Sequence, residues 1–469
     1  MTDPTTLEIL TLNCWGLKYI AAHRHARLSE IGARLAARHP PLDIVGLQEC
    51  WTQKDYLSIH EQTKTILPHA KFYHSGIFGG GLAILSKWPI EESSMVRFPL
   101  NGRPSAFYRG DWYVGKGVAC ARIRLGEGRG PGKKANVVEV FCTHLHAPYE
   151  AEPHDSYLCH RTAQAWEMAK LMRHAAERGH LVVGLGDFNM VPSSLAHQII
   201  TTHAPVADAW RVLHPDSSLG STTSEAERAR GRAVPSIEYN LRENGATCDS
   251  AWNTWRWDKP ARKKLARGGE VRVDVRAPDP WAKRLDYIFV GGDPFRGSCG
   301  GEEKEEPRGK WTLAAIKLGM TAPHPTLKCS LSDHFSIEAS LRFSSPSPSP
   351  SPIPESIPTP NPLPPLPYHQ ILSLIKTYTK QALHQRRLRL THFGAQLVIS
   401  AACLVGVWWT PRPFVAFLLL LASTLGTAAG VVDGLIGGLF VRSEVSALRE
   451  FAWEVESARK MVDEGGGGG

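Results

Sequence analysis

The sequence contains no Cys-x-x-Cys pair and no Asn-x-Ser/Thr sequon, and its nine cysteines, at positions 14, 50, 120, 142, 159, 248, 299, 329 and 403, are odd in number. A disulfide framework and a cysteine-ligated zinc site are therefore not expected, and a reducing compartment fits. The opening residues, MTDPTTLEIL, lack a basic segment followed by a long apolar run, so no secretory signal is read and the amino-terminal domain is expected in the cytosol. Gly115-Lys116-Gly117 is followed by Val118, with no Ser or Thr after the lysine, which excludes an NTPase phosphate loop. No solenoid-like repeat occurs. Strong charge is also missing: 54 basic against 45 acidic residues give +9 over 469, a balance that suits anionic partners without demanding nucleic acid.

What is present divides the chain. With 42% hydrophobic residues a sizeable core can be buried. Residues 344–367 read SSPSPSPSPIPESIPTPNPLPPLP, with 11 prolines among 24 residues, a composition that builds no core and prefers extended polyproline II. This linker separates a domain at 1–343 from a basic segment at 368–392 and an apolar hairpin at 393–441. Within the hairpin, residues 393–409 and 414–432 are 17 and 19 residues without a charge, joined by Thr-Pro-Arg-Pro, each able to span or nearly span a bilayer as a helix. Lys376, Lys380, Arg386, Arg387 and Arg389 precede the first span and only Arg412 lies in the turn, so both flanks are expected on the cytosolic side. Short spans favour a thin membrane, that of the endoplasmic reticulum, with the mitochondrial outer membrane a second candidate. The tail, 442–469, has apolar residues at helical spacing and is expected to form an amphipathic helix.

In the first 343 residues the apolar runs are short and rich in Val, Ile and Leu: LEILTL, DIVGLQE, GLAILSKWPI, VVEVFCTHLH, HLVVGLGDFN, RLDYIFV and HFSIEASL. They read as strands, with helical patterns between them near 26–38 and 156–176. Three stretches, 127–134, 258–283 and 293–310, are too polar for core, and the middle one is basic. Nearly every strand ends in Asn, Asp, Glu or His, where structural turns prefer Gly, Pro or Ser, so these ends are expected to share a functional rim. Hard cations such as Mg²⁺ take oxygen ligands from one or two carboxylates plus substrate phosphate, which Glu49 with Asn13 can supply. A base near neutral pH is a His buttressed by a carboxylate, and His334 with Asp286 or Asp333 fits.

TLNCWGL, GLQE, GLAILSK, THLHAPY, GDFN, RLDYIF and SDHF, in this order over 7–343, resemble the endonuclease/exonuclease/phosphatase superfamily of metal-dependent phosphoesterases. The resemblance implies a four-layered α/β sandwich of the DNase I type, followed here by the linker and the transmembrane hairpin, with the site at one edge of two sheets. THLHAPY, GDWYVGKGV and GATCDSAWNTW, with the two spans, make it most similar to the neutral sphingomyelinases and the inositol phosphosphingolipid phospholipases C. The implied activity is Mg²⁺-dependent hydrolysis, with Mn²⁺ as a substitute, of phosphosphingolipids in the bilayer to ceramide and a phosphorylated head group. The choice between phosphocholine and phosphoinositol stays open, and a nuclease or phosphoinositide phosphatase of the same fold is the alternative.

By the same resemblance Glu49 is the main metal carboxylate, with Asn13 beside metal and phosphate and Asp333 close to the metal. Asp187 and Asn189 hold the water and phosphoryl oxygens, and alternation places residues two apart on one strand face. His334 is the general base and Asp286 orients it, because adjacent side chains of an extended segment point to opposite faces and Asp333 therefore points away. His144 contacts the phosphate or helps protonate the leaving group, and His146 packs. A zinc site on this His-x-His pair lacks further ligands at recognisable spacing. Asp111 and Lys116 resemble a pair that exchanges partners on activation, with Lys116 also near substrate. Anionic phospholipid such as phosphatidylserine is the expected activator, drawn by the basic stretch before the first span.

Overall fold

The computed structural model describes residues 4–126, 136–150, 154–292, 310–344 and 366–465. The Pro-rich linker and the polar stretches at 127–134 and 293–310 lie outside these residues, apart from their edges. The chain forms two compact units. One comprises Met1–Phe98, Gly115–Ala151 and Gln164–Leu366, and the other Pro99–Val114, Glu152–Ala163 and Pro367–Gly469.

The first unit holds twelve strands among the described residues: β1 (Thr6–Asn13), β2 (Ile44–Gln48), β3 (His69–Tyr73), β4 (Leu82–Ser86), β5 (Ile90–Arg97), β6 (Gly117–Leu125), β7 (Asn136–His144), β8 (Leu181–Asp187), β9 (Val206–Asp208), β10 (Asp286–Gly291), β11 (Lys310–Gly319) and β12 (Ser336–Ser344). They form two six-stranded sheets, ordered β11-β12-β1-β2-β4-β3 and β5-β6-β7-β8-β10-β9. Strand alternation sorts the apolar residues between layers. Leu7 and Ile9 of β1 point into the core shared with Val138, Val140, Leu181, Val183 and Leu185 of the opposite sheet, while Leu10 and Leu12 point outward. That outer face is covered by α1 (Arg24–Ala36), which presents Leu28, Ile31 and Leu35 at helical spacing, and by α2 (Gln53–Thr63) with Tyr56 and Ile59. On the other sheet the face carrying Gly184 meets Met168 and Met172 of α3 (Leu158–Glu177). Two sheets with helices outside each make the four-layered α/β sandwich. Shorter helices follow: α4 (Leu195–His203), α5 (Ala209–Leu213), α6 (Glu225–Arg228), α7 (Ile237–Arg242) and α8 (Lys259–Ala266).

The second unit contains α9 (Tyr368–Gly406), α10 (Pro413–Leu435) and α11 (Val441–Gly465). The apolar runs expected at 393–409 and 414–432 are parts of longer helices. The basic segment is the first half of α9, and one π-helical turn, Ile436–Phe440, leads α10 straight into the tail helix. Proline at the first position of α10 starts it after the turn without losing a hydrogen bond. Ser400 and Ser423 each donate through Oγ to the other's carbonyl, at 3.2 and 3.3 Å, joining α9 to α10. Asp433 pairs with Arg389 and with His392. In α11, Val441, Val445, Leu448, Phe451 and Val455 are buried on one face, and Glu444 accepts a hydrogen bond from the Tyr378 hydroxyl at 2.9 Å. Both α9 and α10 are long and apolar enough to cross a membrane.

Candidate active site

Strand direction brings the polar strand ends together. β1 runs parallel to β2, and β7 parallel to β8, so all four finish at one edge. The strands antiparallel to them, β10 and β12, begin there. Register then sets the neighbours: Asp187 is paired with His144 on one side and Asp286 on the other, and Asn13 is opposite Gln48, with Glu49 next. Asn13 links the two sheets, its Nδ2 donating to Asp187 Oδ2 at 3.0 Å and to Glu49 Oε1 at 3.2 Å.

His334 closes the group. Its Nδ1 lies 2.7 Å from Asp286 Oδ2, and its Nε2 lies 3.8 Å from Asp187 Oδ2, while His144 Nε2 is 3.5 Å from that same oxygen. Asp187, Asp286 and His334 offer donor atoms within 4.8 Å of one another, a cluster compatible with a divalent metal site. Asn189 donates its backbone N–H to Asp187 Oδ1 at 2.9 Å and its Nδ2 to Leu145 O at 3.1 Å. Lys116 is buried and its ammonium donates to the carbonyls of Leu145 (3.1 Å) and His144 (3.4 Å). His146 is buried, its N–H donating to Gln164 Oε1 at 2.9 Å. Asp111 starts a short 3₁₀ turn, Asp111–Tyr113, in the second unit.

The backbone is held in an uncommon conformation at two of these residues: φ is +52° at Glu49 and +46° at Asn189. Asn tolerates this region, but for Glu it costs energy that the surroundings must offset. Gly16 N donates to Glu49 O at 3.0 Å, and a Cβ on Gly16 would lie 2.3 Å from that oxygen, so the glycine of TLNCWGL makes room for the strained turn. Gly186 of GDFN has φ +145°, and its Cβ would lie 2.0 Å from Thr143 O, where β7 and β8 meet.

Electrostatics follow from burying so many charges. Burial, reinforced by Asp333, pushes the Glu49 carboxyl up to about 7. Burial and Asp286 push Asp187 up to about 6. Asp333 is raised by burial as well. His144 is held well below its ordinary value by burial and by the Lys116 charge. For His334 burial opposes the charged form, yet Cys248, Asp286 and Asp187 outweigh it and hold the imidazole well above its ordinary value. Glu49 Oε2 is buried with no hydrogen-bond partner. An unpaired hard oxygen on a carboxylate whose ionisation is suppressed by another acid is what a divalent cation would satisfy, so the residues fit such a group.

Several further residues brace the site. Ser332 donates through Oγ to Asn13 O at 2.6 Å and accepts from His334 N at 3.2 Å, joining the base to the end of β1. Thr247 Oγ1 accepts from the backbone of Leu285 and Asp286. Arg27, fully buried, donates to Ala22, Cys14, Trp15 and Leu331 carbonyls and lies 4.6 Å from the Trp15 ring. GATCDSAWNTW braces the His334 loop: Asn253 Nδ2 donates to Ser332 O and Trp255 Nε1 to Ser330 O, both at 2.9 Å. Ser332, Thr247, Asn253 and Trp255 lie inside the motifs SDHF and GATCDSAWNTW, which mark the segments without assigning these side chains a role, and Arg27 lies outside any motif.

A histidine held by one carboxylate and facing another, at the edge of two packed sheets, is an arrangement suited to general-base hydrolysis. The profile of the Endonuclease/Exonuclease/phosphatase family matches residues 10–334. The chain is 36% identical over 467 residues to the inositol phosphosphingolipids phospholipase C of Schizosaccharomyces pombe, covering 97% of this chain and 95% of that protein. To the Saccharomyces cerevisiae protein of the same name it is 32% identical over 481 residues, covering 97% and 90%. Sphingomyelin phosphodiesterase 2 of Homo sapiens is 34% identical over 204 residues, 44% of this chain and 46% of that protein. The chain belongs to the endonuclease/exonuclease/phosphatase family and, within it, to the phosphodiester hydrolases that comprise the inositol phosphosphingolipid phospholipases C and neutral sphingomyelinases.

Proposed function

We propose that this chain is a membrane-anchored, Mg²⁺-dependent phospholipase C that hydrolyses phosphosphingolipids, sphingomyelin or inositol phosphoceramides, to ceramide and a phosphorylated head group. The observation that carries the reading is the 2.7 Å contact of His334 Nδ1 with Asp286, which orients the ring and, once the imidazolium has lost a proton, keeps the remaining one on Nδ1 so that Nε2 is the base. His334 Nε2 takes the proton of a water positioned by Asp187 and Asn189. The water oxygen bonds to phosphorus in line with the departing ceramide oxygen, whose bond to phosphorus breaks, and the alkoxide takes its proton from solvent, since burial and Lys116 hold His144 neutral. His144, buried beside Lys116, contacts a phosphoryl oxygen. Glu49, with Asn13 and Asp333 beside it, would hold Mg²⁺ or Mn²⁺, which supplies charge neutralisation and polarises a phosphoryl oxygen when bound.

The hairpin of α9 and α10 would confine the site to the bilayer surface where the substrate resides, with catalytic domain and tail both cytosolic, in the endoplasmic reticulum or mitochondrial outer membrane. Lys376, Lys380, Arg386 and Arg387, on the half of α9 before the first span, are placed to attract anionic phospholipid as an activator. Asp111 and Lys116 are the proposed activation pair.

The test is release of ceramide from mixed vesicles containing either sphingomyelin or inositol phosphoceramide, with and without Mg²⁺. Release that needs the cation and disappears in His334→Ala supports the reading, and the better lipid names the head group. Cleavage of an oligonucleotide with no ceramide from either lipid would overturn it.

A further inference from the structure

The chemistry above makes no use of the loops that frame the mouth of the site. β3 and β2 both run antiparallel to β4, so β3 ends at the same edge as β1 and β2. The loop after β1, residues 14–23, and the loop from β3 to β4, residues 74–81, therefore leave the sheet beside Glu49. Each is tied to the Glu49 turn, the first by Gly16 N donating to Glu49 O at 3.0 Å and the second by Gly81 O accepting from Cys50 N at 3.0 Å. Beyond each anchor stands an exposed apolar tip. Tyr19 is 88% exposed, Ile20 73%, Ile77 76% and Phe78 59%, four of the five most exposed large apolar side chains among the described residues of the first unit. On the other sheet the loop after β7 shows the exposed Tyr149, its ring 6.3 Å from that of His146. Single exposed apolar residues are ordinary on a protein surface, but four on two neighbouring loops mark a contact surface. Lys18 is the only Lys, Arg, Asp or Glu in the two loops, and its ammonium lies 5.1 Å from the Tyr19 ring. An apolar lip without an acid, carrying one lysine whose stem can reach back to water, has the composition of a segment that sits in a bilayer interface.

We infer that these two loops form a lip that inserts into the apolar side of a bilayer interface and so sets the mouth of the site at head-group depth. The contact is apolar and needs no charged lipid. A bilayer suits the lip better than a protein does, because a protein seated there would cover the entrance that a lipid substrate needs, whereas a bilayer supplies that substrate. Insertion is a property of the loops alone, and its use in catalysis rests on the phospholipase reading.

The experiment uses the full chain reconstituted in phosphatidylcholine vesicles, with p-benzoylphenylalanine in place of Tyr19, of Ile77 or, as a control, of Glu177. Glu177 is exposed just before β8, which runs from there towards the site, so it marks the opposite edge. On irradiation, positions 19 and 77 should crosslink to phospholipid acyl chains about tenfold more than position 177, read by mass spectrometry. In a second measurement Ile20→Ser/Ile77→Ser should lower kcat/KM about tenfold for a long-chain sphingolipid in the vesicles, and less than about twofold for a short-chain, water-soluble sphingolipid with the same head group. Lipid crosslinks at 19 and 77 without any ceramide release would support the lip and remove the phospholipase reading. Crosslinks to protein in place of lipid, equal yields at all three positions, or equal losses of the variant on both substrates would overturn the lip.

Discussion

The two ring nitrogens of His334 are held by different carboxylates, Nδ1 fixed by Asp286 and Nε2 facing Asp187 across 3.8 Å. Replacing the ring by His334→Ala should lower kcat about 10²–10⁴-fold with KM nearly unchanged, because the lost interaction exists only in the transition state. Asp286→Asn is more informative. The negative charge of Asp286 helps to hold the His334 pKa above its ordinary value. Without it the pKa falls, so the acidic limb of the kcat–pH profile should move to lower pH while the plateau drops, and steady-state rates between pH 5 and 9 would show both. Asp286 and His334 are legible in the sequence because each stands in a short motif at a strand end. Glu49 is legible for the same reason, but its positive φ, its unpaired oxygen and the fit of Gly16 beneath it depend on a turn that no local pattern describes.

At the scale of elements, the site depends on where β10 starts. Arg284, two residues before Asp286, donates from both terminal nitrogens to Asp208, at 2.9 and 2.8 Å, and His197 Nε2 lies 3.0 Å from the same carboxylate. Asp208 also caps α5 by accepting from Trp210 N. Burial works against its charge, but Arg284 and His197 hold its carboxyl well below the usual range. Asp208→Asn leaves a buried guanidinium without its partner and should cost about 3–5 kcal/mol at pH 7. Because the folded-state pKa is depressed, the wild-type advantage is complete above the unfolded value of about 4 and fades as pH falls below it. Thermal unfolding of both proteins at pH 7 and below pH 4 checks the size and direction of that change. Strands and their polar ends follow from alternation, whereas this triad and the Arg27 clamp do not. They join residues 76 and 304 positions apart, which only the folded register brings together.

At the scale of the molecule, the apolar runs at 393–409 and 414–432 were readable from hydropathy alone, but the continuity of α9 through its basic half and of α10 into α11 was not. Nor does any local pattern place Pro99–Val114 and Glu152–Ala163 with the helices. Within that unit Trp112 lies 4.5 Å from Phe440, and the His160 ring lies 5.1 Å from Tyr378. If α9 and α10 cross a membrane as proposed, the four-residue turn between them would put both flanks on one side. Tags at the amino and carboxyl termini should therefore both be cut by protease added to the cytosolic face of sealed membranes. Protection of either one would contradict the hairpin.

The central claim is that an activated water attacks phosphorus and expels the ceramide oxygen. Hydrolysis of the preferred phosphosphingolipid in H₂¹⁸O, with both products analysed by mass spectrometry, tests it most directly. The account predicts one ¹⁸O in the phosphate of the released head group and none in ceramide. Label in ceramide, or release of a phosphorylated ceramide with a free head group, would contradict it.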